Sequence, residues 1–296
     1  MSAITPAQLY QWCNIPCNEL VDHSDRKTPF RLCSDTAEMG AIMARELVDE
    51  IKLHNDNGQP TRAIIPCGPA CWYAPFTALV NVERVSLNNL VVFHMDECLD
   101  WQGRELPLDH PYNFKGCMLK DFYQPVDADL AVPEENRNWV TPNNIPELQD
   151  KISSTTIDLT YGGWGQDGHI AYNQARRDPF SLLTIDDVRN STVRIQNNNI
   201  DTIIALAQRT FGSAYQFVPP MSVTLGVKEC LSAKKIRVFS DTGAWKQTAL
   251  RVALFSQPTP EYPLTLLQEH PDALITATEA TATHPISQHP EWDLGL

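Results

Sequence analysis

The 296-residue chain is 43% hydrophobic and 20% charged, the balance of a folded soluble protein with length for one large α/β domain or two small ones. Its formal net charge of −13 argues against nucleic acid or an anionic membrane as the main partner, while a few local cations can still hold a small anionic substrate. No apolar run is long enough to span a bilayer, and residues 1–25 have neither a basic head nor a continuous apolar segment, so the expectation is a cytoplasmic protein with no signal peptide.

Residues 1–29 read as a polar N-terminal extension, either a surface arm or a packed appendage, and residues 30–296 as a single domain. "FRLCS" predicts a short strand. "DTAEMGAIMARELVDEIKLHN" predicts a helix, opened by a capping box of Asp35 and Glu38, with Met39, Ile42, Met43, Leu47 and Ile51 on one face. "RAIIP" (62–66) is a buried strand, and "CGPACWYAPFTALVN" a loop that runs into a helix. "LNNLVVFHMDE" holds the next strand, with its acids at the carboxyl end. "TTIDLTYGG" (155–163) and "KKIRVFSD" are further strands; "TGAWKQTALRVALFS" is a helix and "DALITATEA" a last strand.

Strands alternating with helices imply parallel pairing and right-handed crossovers. The fold class expected is therefore α/β, a three-layer, doubly wound, mostly parallel sheet of modified Rossmann type. Ligands of such sheets bind beyond the carboxyl ends of the strands. That rule singles out the loop after Ile65, the acids after Phe93 and the glycine stretch after Thr160.

Eight cysteines in a chain of this length read as reduced thiols rather than a disulfide framework. Cys13/Cys17 and Cys67/Cys71 have C-x3-C spacing, but no second ligand pair follows, so the reading is bystander thiols rather than a zinc site. Asp96 and Glu97 in "HMDE", and Asp167 and His169 in "GGWGQDGHIAYNQ", are the candidate acid–base groups. A carboxylate and a histidine facing one cleft can divide those roles, and glycines let the backbone approach a ligand. The alternative is a helix cap for the acids and a turn with a satisfied histidine.

In order and spacing, "FHMDE", "DHPYNF", "GGWGQDGHIAYNQ", "VTLGVKECLSAKKIRV", "GAWK" and "LTLLQEHPDALI" resemble the glucosamine-6-phosphate deaminase family over roughly residues 30–280; that family shares its fold with 6-phosphogluconolactonase. "HIAYN", where the lactonase branch more typically has threonine after the histidine, favours the deaminase branch. The resemblance implies an isomerase/deaminase that opens an amino-sugar phosphate ring, moves a proton between C2 and C1 and releases ammonia without a metal or organic cofactor. It also implies oligomers, which are frequent in the family. Asp96 matches the proton shuttle, His169 the ring-opening acid–base group and Asp167 its neighbouring acid. Glu97 matches the next acid of its motif, with a structural role expected from hydrogen bonds at the strand end.

Two departures stand out. Gln174 occupies the place of a glutamate that partners the histidine; it carries no charge, but its amide can still orient the ring. At the phosphate loop, "PCGPACW" replaces a motif of the form T-G-G-T, so that Gly68 is kept while Cys67, Pro69 and Ala70 stand for two hydroxyl donors and a glycine. Gly68, Ala70 and Cys71 retain N–H groups, and Lys246 in "GAWK" and Arg209 in "AQRTFG" match the family's phosphate-binding cations. Trp72, Trp164 and Trp245 lie at the three site loops, where packing is a stronger expectation than sugar stacking. The rival functions are a lactone hydrolase with His169 as base, and a sugar-phosphate sensor without chemistry.

Overall fold

Runs such as "TRAII" and "LVVFH" lack polar alternation because both faces of their strands are covered. The computed structural model describes residues 4–176, 178 and 180–295. Its strands are β1 (Phe30–Cys33), β2 (Thr61–Ile65), β3 (Leu90–His94), β4 (Asp96–Leu99), β5 (Arg137–Asn138), β6 (Leu159–Gly162), β7 (Arg194–Asn197), β8 (Met221–Thr224), β9 (Lys235–Ser240) and β10 (Ala273–Thr278). The helices that matter here are α1 (Pro6–Cys13), α2 (Thr36–Asp56), α3 (Tyr73–Glu83), α4 (Phe114–Met118), α5 (Ile145–Ser153), α6 (Ile185–Arg189), α7 (Ile200–Thr210), α8 (Val227–Cys230) and α9 (Gln247–Phe255).

Seven strands form one parallel sheet in the order β1-β10-β9-β6-β2-β3-β5. Alternate residues feed two cores. Ala63, Ile65, Val92, Tyr161 and Phe239 pack with Met39, Met43 and Leu47 of α2 and Phe76 of α3. Ile64, Phe93, Ile236, Val238 and Ile275 pack on the other face with α5 and α9. The layers are thus helix, sheet and helix, the α/β arrangement expected. The chain builds outward from β2 through β3 to β5 and then returns to the other flank of β2 with β6. The switch point lies between β2 and β6, and their carboxyl ends open the crevice there.

The structure departs from the sequence reading at several places. The strand "LNNLVVFHMDE" ends at His94, and Asp96 begins a separate strand. Strand β4 joins β8 and β7 in a second, antiparallel sheet of order β4-β8-β7, which lay outside the predicted pattern. Of "TTIDLTYGG", only Leu159–Gly162 is strand; Asp158 instead accepts from the Arg62 N–H at 2.9 Å and pairs with Lys234 at 2.8 Å. Asp35 caps α2 by accepting from the Glu38 N–H at 2.8 Å, but the Glu38 carboxylate reaches back to Ser34 N–H and hydroxyl, each 2.7 Å away. The N-terminal extension forms α1, capped by a box of Thr5 and Gln8, and buries Cys13 and Leu20. The guanidinium of Arg251, in α9, donates to the carbonyl of Ile15 at 3.0 Å and so ties the extension to the domain.

Candidate active site

Asp96 opens β4 and stands opposite Thr224 of β8. The half-buried carboxyl is pushed up to about 8, first by loss of water and then by the neighbouring Glu97 charge. Glu97 points the other way along the strand and is buried. Its Oε1 accepts from the N–H groups of Cys98 (2.9 Å) and Phe114 (2.7 Å), and its Oε2 from Lys115 (2.8 Å). Burial still holds it at about 7, against the pull of those three donors. The carboxylate therefore anchors the first turn of α4 to β4. Glu97→Ala is expected to lower the free energy of unfolding by about 2 kcal/mol, because three donors, one buried and two partly buried, lose their acceptor. Urea unfolding at pH 7 measures it; a loss within about 0.5 kcal/mol would place the anchor elsewhere.

The glycine-rich loop follows β6. Asp167 Oδ1 lies 2.7 Å from His169 Nδ1, and its side chain is almost fully enclosed. Burial pushes this carboxyl up, but the charge and hydrogen bond of His169 outweigh burial and hold it below its ordinary value. With Nδ1–H directed at Asp167, the neutral ring presents Nε2 as its basic nitrogen. The glycines make room for this pair. A Cβ on Gly165 would fall 2.1 Å from His169 Cε1, and Gly168 adopts φ +70° beside Tyr262. The His169 ring stacks on Tyr172, with centroids 5.8 Å apart and planes at 17°.

The acid strand and the histidine loop meet through β8. Tyr172 N–H donates to Thr224 Oγ1 at 3.0 Å, Asn173 Nδ2 donates to the Leu225 carbonyl at 2.9 Å, and the Tyr172 hydroxyl lies 3.3 Å from Cys98 Sγ. Gly163 closes the third side: a Cβ placed on it would lie only 3.4 Å from the Gly68 carbonyl oxygen in the loop after β2. Cys67 in that loop touches Cys117; this contact and burial raise its thiol well above the ordinary range, and the Asp96 and Glu97 charges add to the effect. The three strand-end loops thus lie against one another.

Lys246 sits half-buried in the turn before α9, and Arg209 is exposed near the end of α7. Burial lowers the Lys246 amine to about 8, with the Arg209 charge acting in the same direction and Asp241 against it. The Arg209 charge thus reaches Lys246, an arrangement that suits a shared anion. Gly68 and Ala70 lie in the loop between β2 and α3, Ala70 exposed. Trp72 is core, edge-on to Tyr73, Phe76, Phe122 and Tyr161. Trp164 is buried and donates to the Lys246 carbonyl at 3.3 Å; Trp245 donates to the Thr242 carbonyl at 2.8 Å. Gln174 departs from the expectation that it orients the imidazole. Its hydrogen bonds go to Asn199 and Thr202 at the start of α7, because the loop past Tyr172 turns its amide into that helix end. Among the described residues no group of three or more histidine, cysteine and acidic side chains is gathered to hold a metal ion.

Curated relatives are similar to this chain over most of its length. The glucosamine-6-phosphate deaminase of Aliivibrio fischeri (strain MJ11) is 32% identical over 252 residues, which cover 82% of this chain and 87% of the relative. The chain belongs to the glucosamine-6-phosphate deaminase family. The enzyme of that name from Serratia proteamaculans (strain 568) is 31% identical over 256 residues, 83% of this chain and 88% of its own. Among solved structures, a monomeric glucosamine-6-phosphate deaminase described as a missing link of the NagB superfamily superposes with a TM-score of 0.72 at 22% identity, over 86% of this chain and 98% of that one. A 6-phosphogluconolactonase from Trypanosoma cruzi gives 0.60 at 17% identity, over 89% and 99%. These two likenesses establish the family's fold. No family model matches the sequence. Thr202 and Asn199, which bond to Gln174, carry no motif signal, and only the polar run "NNNIDT" marks their neighbourhood; Gln166 lies within the glycine-rich motif but is not singled out by it.

Proposed function

We propose that the chain converts a 2-amino-2-deoxyhexose 6-phosphate, with glucosamine 6-phosphate as the first candidate, to the ketose phosphate and ammonia. The observation that carries this reading is Asp96, a partly enclosed carboxyl on β4 fixed through Thr224 to the loop of the Asp167–His169 pair. His169 Nε2 takes the C1 hydroxyl proton and returns it to the ring oxygen, which opens the pyranose. Asp96 takes the C2 proton while the C1 aldehyde oxygen gains one from solvent, and then delivers its proton to C1 of the resulting enolamine. The C2 iminium so formed adds water and expels ammonia. One base serves both carbons, and its enclosure keeps the proton from exchanging fully with solvent. Lys246 and Arg209 hold the phosphate by charge-assisted bonds, and Glu97 positions the strand. Residues 30–296 act as the catalytic domain, and residues 1–29 as a packed extension.

The test is an ammonia-release assay on a panel of 2-amino-2-deoxyhexose 6-phosphates, run beside a hydrolysis assay on 6-phosphogluconolactone. Ammonia in step with ketose phosphate supports the reading; lactone hydrolysis without ammonia, or neither, overturns it. Lys246→Met is expected to raise KM for the phosphorylated sugar about 30-fold, the worth of one lost charge-assisted hydrogen bond. Activity on unphosphorylated glucosamine should change far less. Equal losses on both sugars would remove Lys246 from the phosphate site.

A further inference from the structure

Gln174 ends the histidine loop, and its amide joins that loop to α7. Oε1 accepts from the Asn199 N–H at 2.8 Å, and Nε2 donates to Thr202 Oγ1 at 2.6 Å. Gln166, one residue ahead of Asp167, donates to the same hydroxyl oxygen at 3.2 Å, and Asn199 Nδ2 returns a bond to the Ala175 carbonyl at 2.7 Å. Gln174 and Thr202 are both buried, at 7% and 2% exposure. Four hydrogen bonds thus fasten the first turn of α7 to the loop that carries Asp167 and His169.

Little buried apolar surface holds the helix at that end. Its buried residues are Thr202, Ala205 and Ala207, while Ile200 and Ile204 are exposed. Small side chains bury little apolar surface, so the polar contacts decide where the helix lies. At the far end, the Tyr112 hydroxyl bonds to the Leu206 carbonyl at 3.0 Å and to Thr210 Oγ1 at 2.6 Å. Thr202 and Arg209 are seven residues apart, two helical turns, so they share one face about 10 Å apart. Fixing Thr202 therefore sets the direction in which Arg209 is presented.

We propose that Gln174 is a positioning residue for the anion site, holding α7 through Thr202 so that Arg209 stands beside Lys246, and is not a partner of the His169 ring. The identity of the anion as a sugar phosphate rests on the function proposed above; the fastening itself does not. The amide serves both partners at once, its oxygen accepting from Asn199 and its nitrogen donating to the Thr202 oxygen.

The experiment compares Gln174→Ala and Thr202→Val, which remove the same bond from opposite sides, with the wild type. Amide hydrogen exchange over residues 199–210 and calorimetric binding of inorganic phosphate are read first, then KM and kcat on glucosamine 6-phosphate. Each variant removes the shared bond and one more, Gln174→Ala that to the Asn199 N–H and Thr202→Val that from Gln166, and should speed exchange, weaken phosphate binding and raise KM, each about tenfold, with kcat changed less than about threefold. The double variant should lose less than the sum of the two single losses, since the Gln174–Thr202 bond they share is lost once. Unchanged exchange and phosphate binding in both variants, or a loss in kcat with KM intact, overturns the proposal. Wild-type enzyme that releases no ammonia overturns the function instead, and the exchange and phosphate measurements still decide the role of Gln174. Should Gln174→Ala fail to fold, Thr202→Val still reads the shared bond from the helix side.

Discussion

Asp96→Asn is expected to lower kcat for ammonia release from glucosamine 6-phosphate by about 10³-fold, with KM little changed, as for a group that acts on the proton in the transition state. The amide keeps the volume and a polar contact but cannot accept the C2 proton. The wild type should also show its base in the pH profile. The carboxylate form is the active one, and Asp96 is held at about 8, so kcat/KM should rise with pH towards that value. Glu97, adjacent and at about 7, couples to it, so the limb reports the pair rather than one residue. The stability sign follows from the same shift. Folded Asp96 keeps a proton that the unfolded chain releases above its ordinary 3.8, so its contribution is full below that pH and lost as pH rises through about 8. Asp96→Asn should therefore be the more stable protein at pH 9, by about 1–2 kcal/mol. Activity above a tenth of wild type, or a rising limb near pH 4, would contradict the assignment.

Gly165→Ala carries the second large effect. The added methyl would stand 2.1 Å from His169 Cε1 and 2.3 Å from Nδ1, distances no pair of carbon or nitrogen atoms sustains. The imidazole must leave its place, and with it the 2.7 Å bond to Asp167 and the stack on Tyr172. The main chain is fixed too, since the Gly165 N–H donates to the His169 carbonyl at 3.1 Å. An overpacking strain of about 1–3 kcal/mol is expected, and a fall of about 10²-fold in kcat as the ring-opening group is displaced. Gly162→Ala is the control: its methyl meets only ordinary contacts, 3.7 Å from Val238 and 3.8 Å from Met95. Near wild-type turnover in Gly165→Ala would mean that the seat of His169 does not matter to the rate.

The large sheet was legible because its strands announce themselves. "RAIIP" and "LVVFH" are apolar on both faces, and strands and helical periods alternate along the chain, so parallel order could be reasoned out, and with it the carboxyl ends as the place to look for a site. The small sheet was not. Strand β4 opens with two acids, and β7 and β8 are four residues each, pairing across long stretches of chain with no hairpin turn between β4 and β8 to signal them. This sheet is what brings Asp96 to the histidine loop, so the motif named the residues while their meeting came only from the structure. Arg209 and Lys246 were visible as residue types at matching positions, and their mutual electrostatic influence required the fold. Gln174 misled for a different reason. A side chain's chemistry shows which bonds it can make, and the loop's turn beyond Tyr172 decides that they go to α7.

The most direct test of the account is to run the reaction in D2O with glucosamine 6-phosphate and examine the ketose phosphate by mass spectrometry and NMR. The account predicts ammonia equal to ketose phosphate, carbon-bound deuterium confined to C1 at up to one atom per molecule, and loss of both signals in Asp96→Asn. Ketose phosphate and ammonia formed at wild-type rate by Asp96→Asn, or an aldonic acid from the lactone as the only product, would contradict it.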